Sequence, residues 1–235
     1  LTILSGLGFD RDQVGYLPWP VQRESITIVP RNLNKAVWIG NCKHPPNKDG
    51  LKWFISEIWP ALHSDHSSLS LDLWGPYAAT EWTKALKHGR GQIQYRGPWD
   101  GSAQALLSQY GFSVAPLRYG AGLKGKVLES LAAGTPVIGT PIAWEGIRPV
   151  ESGEDSWVCE SSESWIRRFR EWSEPDQWTK IQAWGFNRIA QEFSREGLDP
   201  KFRAEFSARA KTNHLISSML RYHTMRSTEY FSKWV

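Results

Sequence analysis

The sequence predicts an α/β domain built on a doubly wound parallel sheet, followed by a helical C-terminal extension. From Ala36 onward, short apolar runs bounded by Gly or Pro alternate with helical patterns, which is typical of successive β-α units. After Cys159 the pattern is helical throughout. The chain has 235 residues and 40% hydrophobic content, enough to bury a core.

The strands are predicted from short apolar runs that end at turn residues. Six are expected: Ala36 to Ile39, Leu69 to Trp74, Gln92 to Tyr95, Phe112 to Leu117, Pro136 to Gly139 and Ser156 to Cys159.

The helices are predicted from apolar residues at three-and-four spacing, clearest between Leu51 and Leu62. Others are expected from Ser102 to Gln109 and from Leu123 to Ala133, the latter ended by Gly134. A later helix begins at a Ser161 or Ser162 cap and carries Trp165, Ile166, Phe169 and Trp172. Further helices are expected over Asp176 to Phe193 and Pro200 to Met225.

The distribution of predicted strands, helices and Gly/Pro-rich stretches divides the chain into three segments. Residues 1–35 contain many Gly and Pro and one extended stretch at Val14 to Leu17, and suit a connecting segment. Residues 36–175 form the α/β domain. Residues 176–235 form the helical extension.

Charge and cysteine content exclude several classes of protein. The net charge of +4 arises in residues 195–235, where eight Lys/Arg face four Asp/Glu. A solvated helix face is the preferred interpretation, with contact to an anionic membrane surface or to nucleic acid as the alternative. Cys42 and Cys159 stand far apart in the sequence, so we expect neither a disulfide nor a metal site built on cysteine. We also expect no metal elsewhere and no nucleic-acid partner. Without a long apolar run or a signal-peptide pattern, a cytoplasmic protein is expected, peripheral at the membrane in the alternative.

The most informative stretch joins a strand, a glycine-rich turn, a helix and another strand between Ala115 and Val137. Gly120, Gly122 and Gly125 let the backbone approach a ligand, and the helix start offers N–H groups and a positive dipole end. Lys124 and Lys126 add charge at that end. The pattern predicts a phosphate site.

A Walker-type phosphate loop is one interpretation, because Gly120, Gly125 and Lys126 fit the spacing G-x-x-x-x-G-K. The next residue should be Ser or Thr, and Val127 has no hydroxyl for magnesium. A nucleoside-triphosphatase is therefore disfavoured.

The second interpretation comes from resemblance. Residues Pro116 to Pro136, with Trp144-Glu-Gly146 after them, resemble the donor-binding core of the glycosyltransferases of family 4, which have the GT-B fold. Trp38 to Gly50 is similar to the first strand and loop of their second, Rossmann-like domain. Leu73-Trp-Gly75 and Tyr95-Arg-Gly97 match later strand ends. The resemblance covers about residues 14–175.

The resemblance implies roles for particular residues. Glu129 matches the second glutamate of the family's E-x7-E motif, which accepts hydrogen bonds from the donor ribose. Gly120, Gly122 and the helix start up to Gly125 match the loop that faces the diphosphate, and Gly40 with Asn41 matches the turn after the first strand. Pro98 and Trp99 lie where the family holds the base, with burial of Trp99 as the alternative.

Two further residues lie at the expected mouth of the site. His44 can donate to phosphate or sugar, or it has a structural role. Glu145 faces the sugar, or it forms a surface salt bridge.

Several positions depart from the family pattern. Ala121 stands where the first glutamate of the motif should be, and Asn41 and Pro46 replace basic residues that many members aim at the diphosphate. We expect Arg118, Lys124, Lys126 or Lys43 to supply that charge. The 35 residues before Ala36 are too few for the acceptor domain.

The resemblance therefore implies transfer of a sugar from a nucleotide-sugar to a glycan or lipid-linked acceptor, with retention and without a cofactor. An N-terminal domain or a partner chain would complete the cleft. The alternative is a non-catalytic module that binds a nucleotide-sugar or glycan.

Overall fold

The computed structural model describes residues 18, 20–24, 31–76, 92–147 and 157–200. They belong to two compact units, Arg23–Ile189 and a unit formed by Leu1–Gln22 with Ala190–Trp234. In the second unit, the Val21 N–H donates to the Phe193 carbonyl over 2.7 Å, and residues 195–200 are helical. The predicted stretch at Val14 to Leu17, and the predicted Pro200 to Met225 helix beyond its first residue, lie outside the described residues.

The larger unit is built on five parallel strands in the order β3-β2-β1-β4-β5. They are β1 (Lys35–Ile39), β2 (Ser70–Trp74), β3 (Gln92–Gly97), β4 (Phe112–Ala115) and β5 (Val137–Gly139). β1 pairs with β2 from Lys35 opposite Ser70 to Ile39 opposite Trp74. The doubly wound sheet predicted from the sequence is confirmed.

Burial follows the position of each strand in the sheet. Every residue of β4 and β5 is buried, as expected for strands covered by helices on both faces. The edge strand β3 alternates between exposed and half-buried residues. The apolar runs of the central strands therefore reflect burial on two faces.

The helical segment after β1 has three parts: α1 (Pro45–Trp53), a π-helical turn (Phe54–Ile58) and α2 (Trp59–Asp65). Pro60 explains the break. It has no N–H to donate, and its ring would clash with the carbonyl of Ser56 in a regular α-helix. The wider π turn accommodates it. The apolar stripe predicted between Leu51 and Leu62 runs across all three parts.

The remaining helices begin with recognisable caps. The Ser102 side chain accepts from the N–H groups of Gln104 and Ala105 at the start of α3 (Ala103–Leu107), and Ser161 forms a capping box at α5 (Ser162–Trp172). Between them lies α4 (Gly125–Ala132), and after them come α6 (Pro175–Arg188) and a π-helical turn (Ile189–Phe193). No helix of the described residues is long and apolar enough to cross a membrane.

Three predicted element bounds are wrong. The strand expected from Ser156 to Cys159 is reduced, in its described part, to one parallel bridge between Gly139 and Val158, because Ser161 already caps α5. β4 ends before Pro116, which cannot donate to a ladder. α4 begins two residues later than expected, since Lys124 has an extended backbone as its N-cap.

Aromatic side chains fill the space between helices and sheet. Trp59 and Trp165, which the sequence assigns to packing, are fully buried. The Phe54 ring lies 4.9 Å from that of Trp165, edge to face, and the Phe112 ring lies 5.2 Å from that of Phe169. This cluster joins α5 to β4 and to the π turn before α2.

The C-terminal end of α4 is held by a cation from another part of the chain. Gly134 ends the helix with φ +69°. Arg31 donates to the carbonyls of Ala133 (2.7 Å) and Gly134 (2.6 Å) and to Oγ1 of Thr135 (2.8 Å). A guanidinium satisfies the open carbonyls there and complements the negative end of the helix dipole.

Candidate functional site

The strand order reverses between β1 and β4, since the chain runs from β1 out to β3 and then returns to β4 on the other side. In open α/β sheets, ligands bind beyond the carboxyl ends of the strands at such a point. Two contacts join α1 to the segment that follows β4: Arg118 with Asp49, and Lys126 with Asn47. The predicted phosphate loop therefore lies at the switch point.

The turn after β1 is stabilised by two asparagines. Oδ1 of Asn41 accepts from the N–H of Lys43 (2.8 Å), and its carbonyl accepts from Nδ2 of Asn47 (3.1 Å). A Cβ on Gly40 would lie 2.9 Å from the Trp38 ring, so the turn needs glycine there. His44 follows as the exposed N-cap of α1.

The glycine loop before α4 has the conformation that its sequence predicts. Gly120 and Gly122 adopt φ +133° and +75°, values that L side chains rarely reach. Gly125 opens the helix, and a Cβ there would meet nothing within 4 Å. No described side chain caps this helix, so its first N–H groups remain available to an anion.

Two of the basic residues predicted to face a phosphate are paired with carboxylates. Arg118 Nε donates to Oδ2 of Asp49 over 2.7 Å, and this guanidinium holds the pKa of the Asp49 carboxyl below its usual range. Lys124 Nζ donates to the Gly122 carbonyl and lies 3.2 Å from Oε2 of Glu145, which is half-exposed. Glu145 thus forms a salt bridge with Lys124, which was one of the two roles that the sequence allowed for it.

Lys126 has a different environment. Its Nζ donates to Oδ1 of Asn47 over 2.7 Å and lies 5.1 Å from the centroid of the Trp38 ring. Among the described residues, no carboxylate pairs with it. Burial lowers the pKa of Lys126 to about 7 because it disfavours the charged form. A desolvated cation whose partners are neutral suits an incoming anion.

Glu129 lies one helical turn further along α4. Its Oε2 accepts from Nε2 of Gln104 over 2.8 Å. Burial raises the pKa of the Glu129 carboxyl, while the bond from Gln104 opposes the rise and the charge of Glu24 adds to it. The side chain is half-buried, so the carboxylate is accessible to a ligand.

Trp99 packs against a cluster of buried side chains: Val37, Ile39, Leu106, Leu107, Tyr110 and Ala133. It is half-buried, and its Nε1 is buried without a hydrogen-bond partner among the described residues. Most of the Trp99 ring is therefore buried, as the alternative interpretation of the sequence expected. A role of Trp99 in holding the base of the donor remains a prediction.

The sequence of residues 34–174 matches the family model described as glycosyl transferases group 1. The match covers more than half of the chain. This chain belongs to the group 1 glycosyltransferases. The segment matched contains both loops and α4, so the family that the sequence resembles is confirmed.

Solved glycosyltransferases share the fold. A point mutant of TarM from S. aureus, crystallised with fondaparinux, α-GlcNAc-glycerol and UDP, aligns with a TM-score of 0.67 and 13% identity over 87% of this chain and 41% of its own. Anabaena HepE with UDP-glucose aligns with a TM-score of 0.55 and 14% identity over 74% of this chain and 48% of its own. The five-stranded sheet and its helices thus match the GT-B fold.

A third structure, the pneumococcal O-GlcNAc transferase GtfA in complex with UDP and GlcNAc, aligns with a TM-score of 0.56 and 13% identity over 82% of this chain and 38% of its own. The chain therefore spans about two fifths to one half of the length of these structures. A search of curated proteins gave no match.

A Walker loop is not supported in this group 1 glycosyltransferase. Val127, which stands where a magnesium-binding hydroxyl would be needed, is fully buried on α4. No three His, Cys, Asp or Glu side chains of the described residues come together as a metal site.

Two residues that contact the predicted site escaped the sequence analysis. Asn47 follows the position where the family has lysine, and amides at helix starts are too common to single out. Gln104 lies 25 positions before Glu129, and only the packing of α3 against α4 brings them together.

Proposed function

We propose that this chain binds the diphosphate of a nucleotide-sugar donor at the switch point and takes part in glycosyl transfer with retention of configuration. The environment of Lys126 carries the proposal. This lysine lies at the open start of α4, is mostly buried, and interacts with the Asn47 amide, the Trp38 ring and the Cys42 thiol, but with no carboxylate of the described residues. A diphosphate would supply the negative charge that this cation lacks.

The other cations that the sequence offers are less suited to this task. Arg118 and Lys124 already share carboxylates, so a diphosphate would have to displace Asp49 or Glu145. Lys126 needs no such exchange. As the sugar bond breaks, charge grows on the leaving diphosphate, and a fixed cation with helix N–H groups stabilises it in a site of low dielectric. On this proposal no metal or other cofactor is needed.

Glu129 would receive the ribose of the donor. A carboxylate can accept from two neighbouring hydroxyls at once, and its partner Gln104 occupies only Oε2. TarM, GtfA and HepE were crystallised with UDP or UDP-glucose, which makes UDP the first nucleotide to test.

The acceptor would be a glycan or a lipid-linked molecule held by a further domain or a partner chain. The share of TarM and HepE that this chain covers, 41% and 48%, supports a requirement for additional residues. A crystal structure of a GtfA/B complex shows that one structural relative assembles with a partner. We propose a cytoplasmic location, with contact between the basic segment 195–235 and an anionic membrane surface as the alternative to a solvated segment.

The test is calorimetry of the chain with UDP, GDP and ADP in the presence of EDTA. One of them should bind saturably, and Lys126→Met should weaken binding about tenfold or more, the usual contribution of a hydrogen bond to a charged group. Lys180→Met, an exposed lysine on α6, is the matched control. Equal affinity of the wild type and Lys126→Met would contradict the proposed site.

A binding module without transferase activity is the second candidate. Ala121 favours it, because this exposed residue offers no carboxylate where the family has the first glutamate of its motif. The two differ in transfer once the acceptor and the further domain or partner chain are present: a transferase forms a glycoside, and the anomeric proton coupling of that product in NMR also reports retention. Binding without transfer in the complete assembly would favour the module.

A further inference from the structure

Gln104 links the segment before the sheet to the carboxylate of α4. It lies on α3 with only 3% of its surface exposed. Its Oε1 accepts from the N–H of Glu24 over 3.0 Å, and its Nε2 donates to Oε2 of Glu129 over 2.8 Å. Because a main-chain donor holds the oxygen side of the amide, the NH2 side must face Glu129.

We infer that Gln104 is a positioning residue that orients Glu129 so that the site selects ribose over 2′-deoxyribose; this inference rests on the proposed donor site. With Oε2 held by Gln104, rotation of the carboxylate is restricted, and no hydrogen bond from the part of the chain that the structure describes occupies Oε1. A carboxylate that accepts a hydrogen bond from a hydroxyl in a defined direction discriminates against a ligand that lacks this hydroxyl. Such a ligand desolvates the carboxylate without giving it a new hydrogen bond.

The same hydrogen bond favours the ionised form of the carboxyl. Burial raises the pKa of Glu129, the nearby charge of Glu24 raises it further, and the donor from Gln104 lowers it. Removal of that donor should raise the pKa again. Affinity for a ribonucleotide would then fall at a higher pH than in the wild type, as the pH is lowered and the carboxyl becomes protonated.

The experiment compares the wild-type chain with Gln104→Met, which keeps the length of the side chain but can neither accept from Glu24 nor donate to Glu129. Calorimetry with UDP, GDP and ADP and with their 2′-deoxy forms gives the ribose preference. We expect about a tenfold preference in the wild type, in line with one hydrogen bond to a charged group, and little preference in Gln104→Met. NMR of ¹³C-labelled glutamate gives the Glu129 titration midpoint without ligand, which should rise in the variant.

Two further variants separate positioning from general damage. Gln109→Met makes the same change at an exposed glutamine beyond α3 and should keep the wild-type preference. Gln104→Glu can still accept from Glu24 but places a second carboxyl against Glu129, so its midpoint should rise most. This variant also provides the test if Gln104→Met does not fold.

The outcomes distinguish the two proposals. If the wild type prefers the ribonucleotide and the Gln104 variants keep both that preference and the Glu129 midpoint, the positioning role is wrong and the donor site stands. If the wild type binds none of the three diphosphates, the donor site fails and the selection of ribose fails with it.

Discussion

Gly125 illustrates how a single residue can be required by a ligand and not by the fold. Its backbone lies outside the left-handed region, and a Cβ would meet no atom within 4 Å. Gly120 and Gly122, by contrast, need glycine for their positive φ. Position 125 would tolerate alanine in the free protein, and the empty space lies where the diphosphate is proposed to bind.

We therefore expect Gly125→Ala to leave the free energy of unfolding unchanged or to raise it by up to about 0.5 kcal/mol, since alanine favours helix. Its methyl group should weaken UDP binding several-fold. Gly120→Ala, which must adopt φ +133°, should instead lose stability. Urea denaturation and calorimetry measure the two effects. Full UDP affinity in Gly125→Ala would argue against a ligand at this position.

At the scale of elements, α4 has a different partner at each end. Its start is open and carries Lys126, while its last carbonyls are covered by Arg31. Burial lowers the pKa of Arg31 to about 10, which still leaves the guanidinium charged at neutral pH. A helix held at its C-terminal end presents its N-terminal end in a fixed position.

Replacement of Arg31 tests this role. Arg31→Ala should lower the free energy of unfolding by about 1–3 kcal/mol, because it removes the charged donor from the Ala133 carbonyl and leaves the Gly134 carbonyl with the neutral donor Gln182. Arg31→Lys should recover part of the loss, since an ammonium keeps the charge but cannot reach both carbonyls with fork geometry. Alanine at Lys35, an exposed neighbour in β1, is the control. An unchanged urea midpoint in Arg31→Ala would show that the helix end does not depend on this residue.

At the scale of the whole molecule, the proposed site reduces stability in the absence of its ligand. Lys126 has a pKa of about 7 in the folded chain against 10.5 ordinarily. The unfolded chain therefore binds more protons between these values, so stability rises with pH across that window. The penalty is fully present below about pH 7 and disappears towards pH 10.5.

Lys126→Met should therefore be more stable than the wild type at pH 6.5, and the difference should shrink at pH 9.5. Saturating UDP should narrow the difference at pH 6.5: a ligand at 100 times its Kd stabilises the wild type by about 2.7 kcal/mol, and the variant, which binds weakly, gains less. Urea denaturation at both pH values measures this. A destabilised Lys126→Met at pH 6.5 would mean that the lysine has a structural role.

The sequence by itself determined the family, the doubly wound sheet and the position of the glycine loop. The sheet and the loop depend on local signals: apolar runs, caps such as Ser161, and glycines that must adopt positive φ. The family comes from the resemblance of its motifs. Residue roles taken from the family, such as that of Glu129, stay predictions, and so do the domain boundaries at residues 35 and 175.

Only the tertiary structure decided how the basic residues divide. The sequence offers Arg118, Lys124, Lys126 and Lys43 without a preference. The packing of α1 and of the turn after β5 gives carboxylates to Arg118 and Lys124, whereas Lys126 contacts Asn47, Trp38 and Cys42. Likewise, Gln104 donates a hydrogen bond to Glu129 although 25 positions separate them in sequence, and the charge of Glu24, 105 positions away, raises the pKa of Glu129. Such contacts depend on how helices pack on the sheet, and periodicity along the chain does not encode which side chains then face each other.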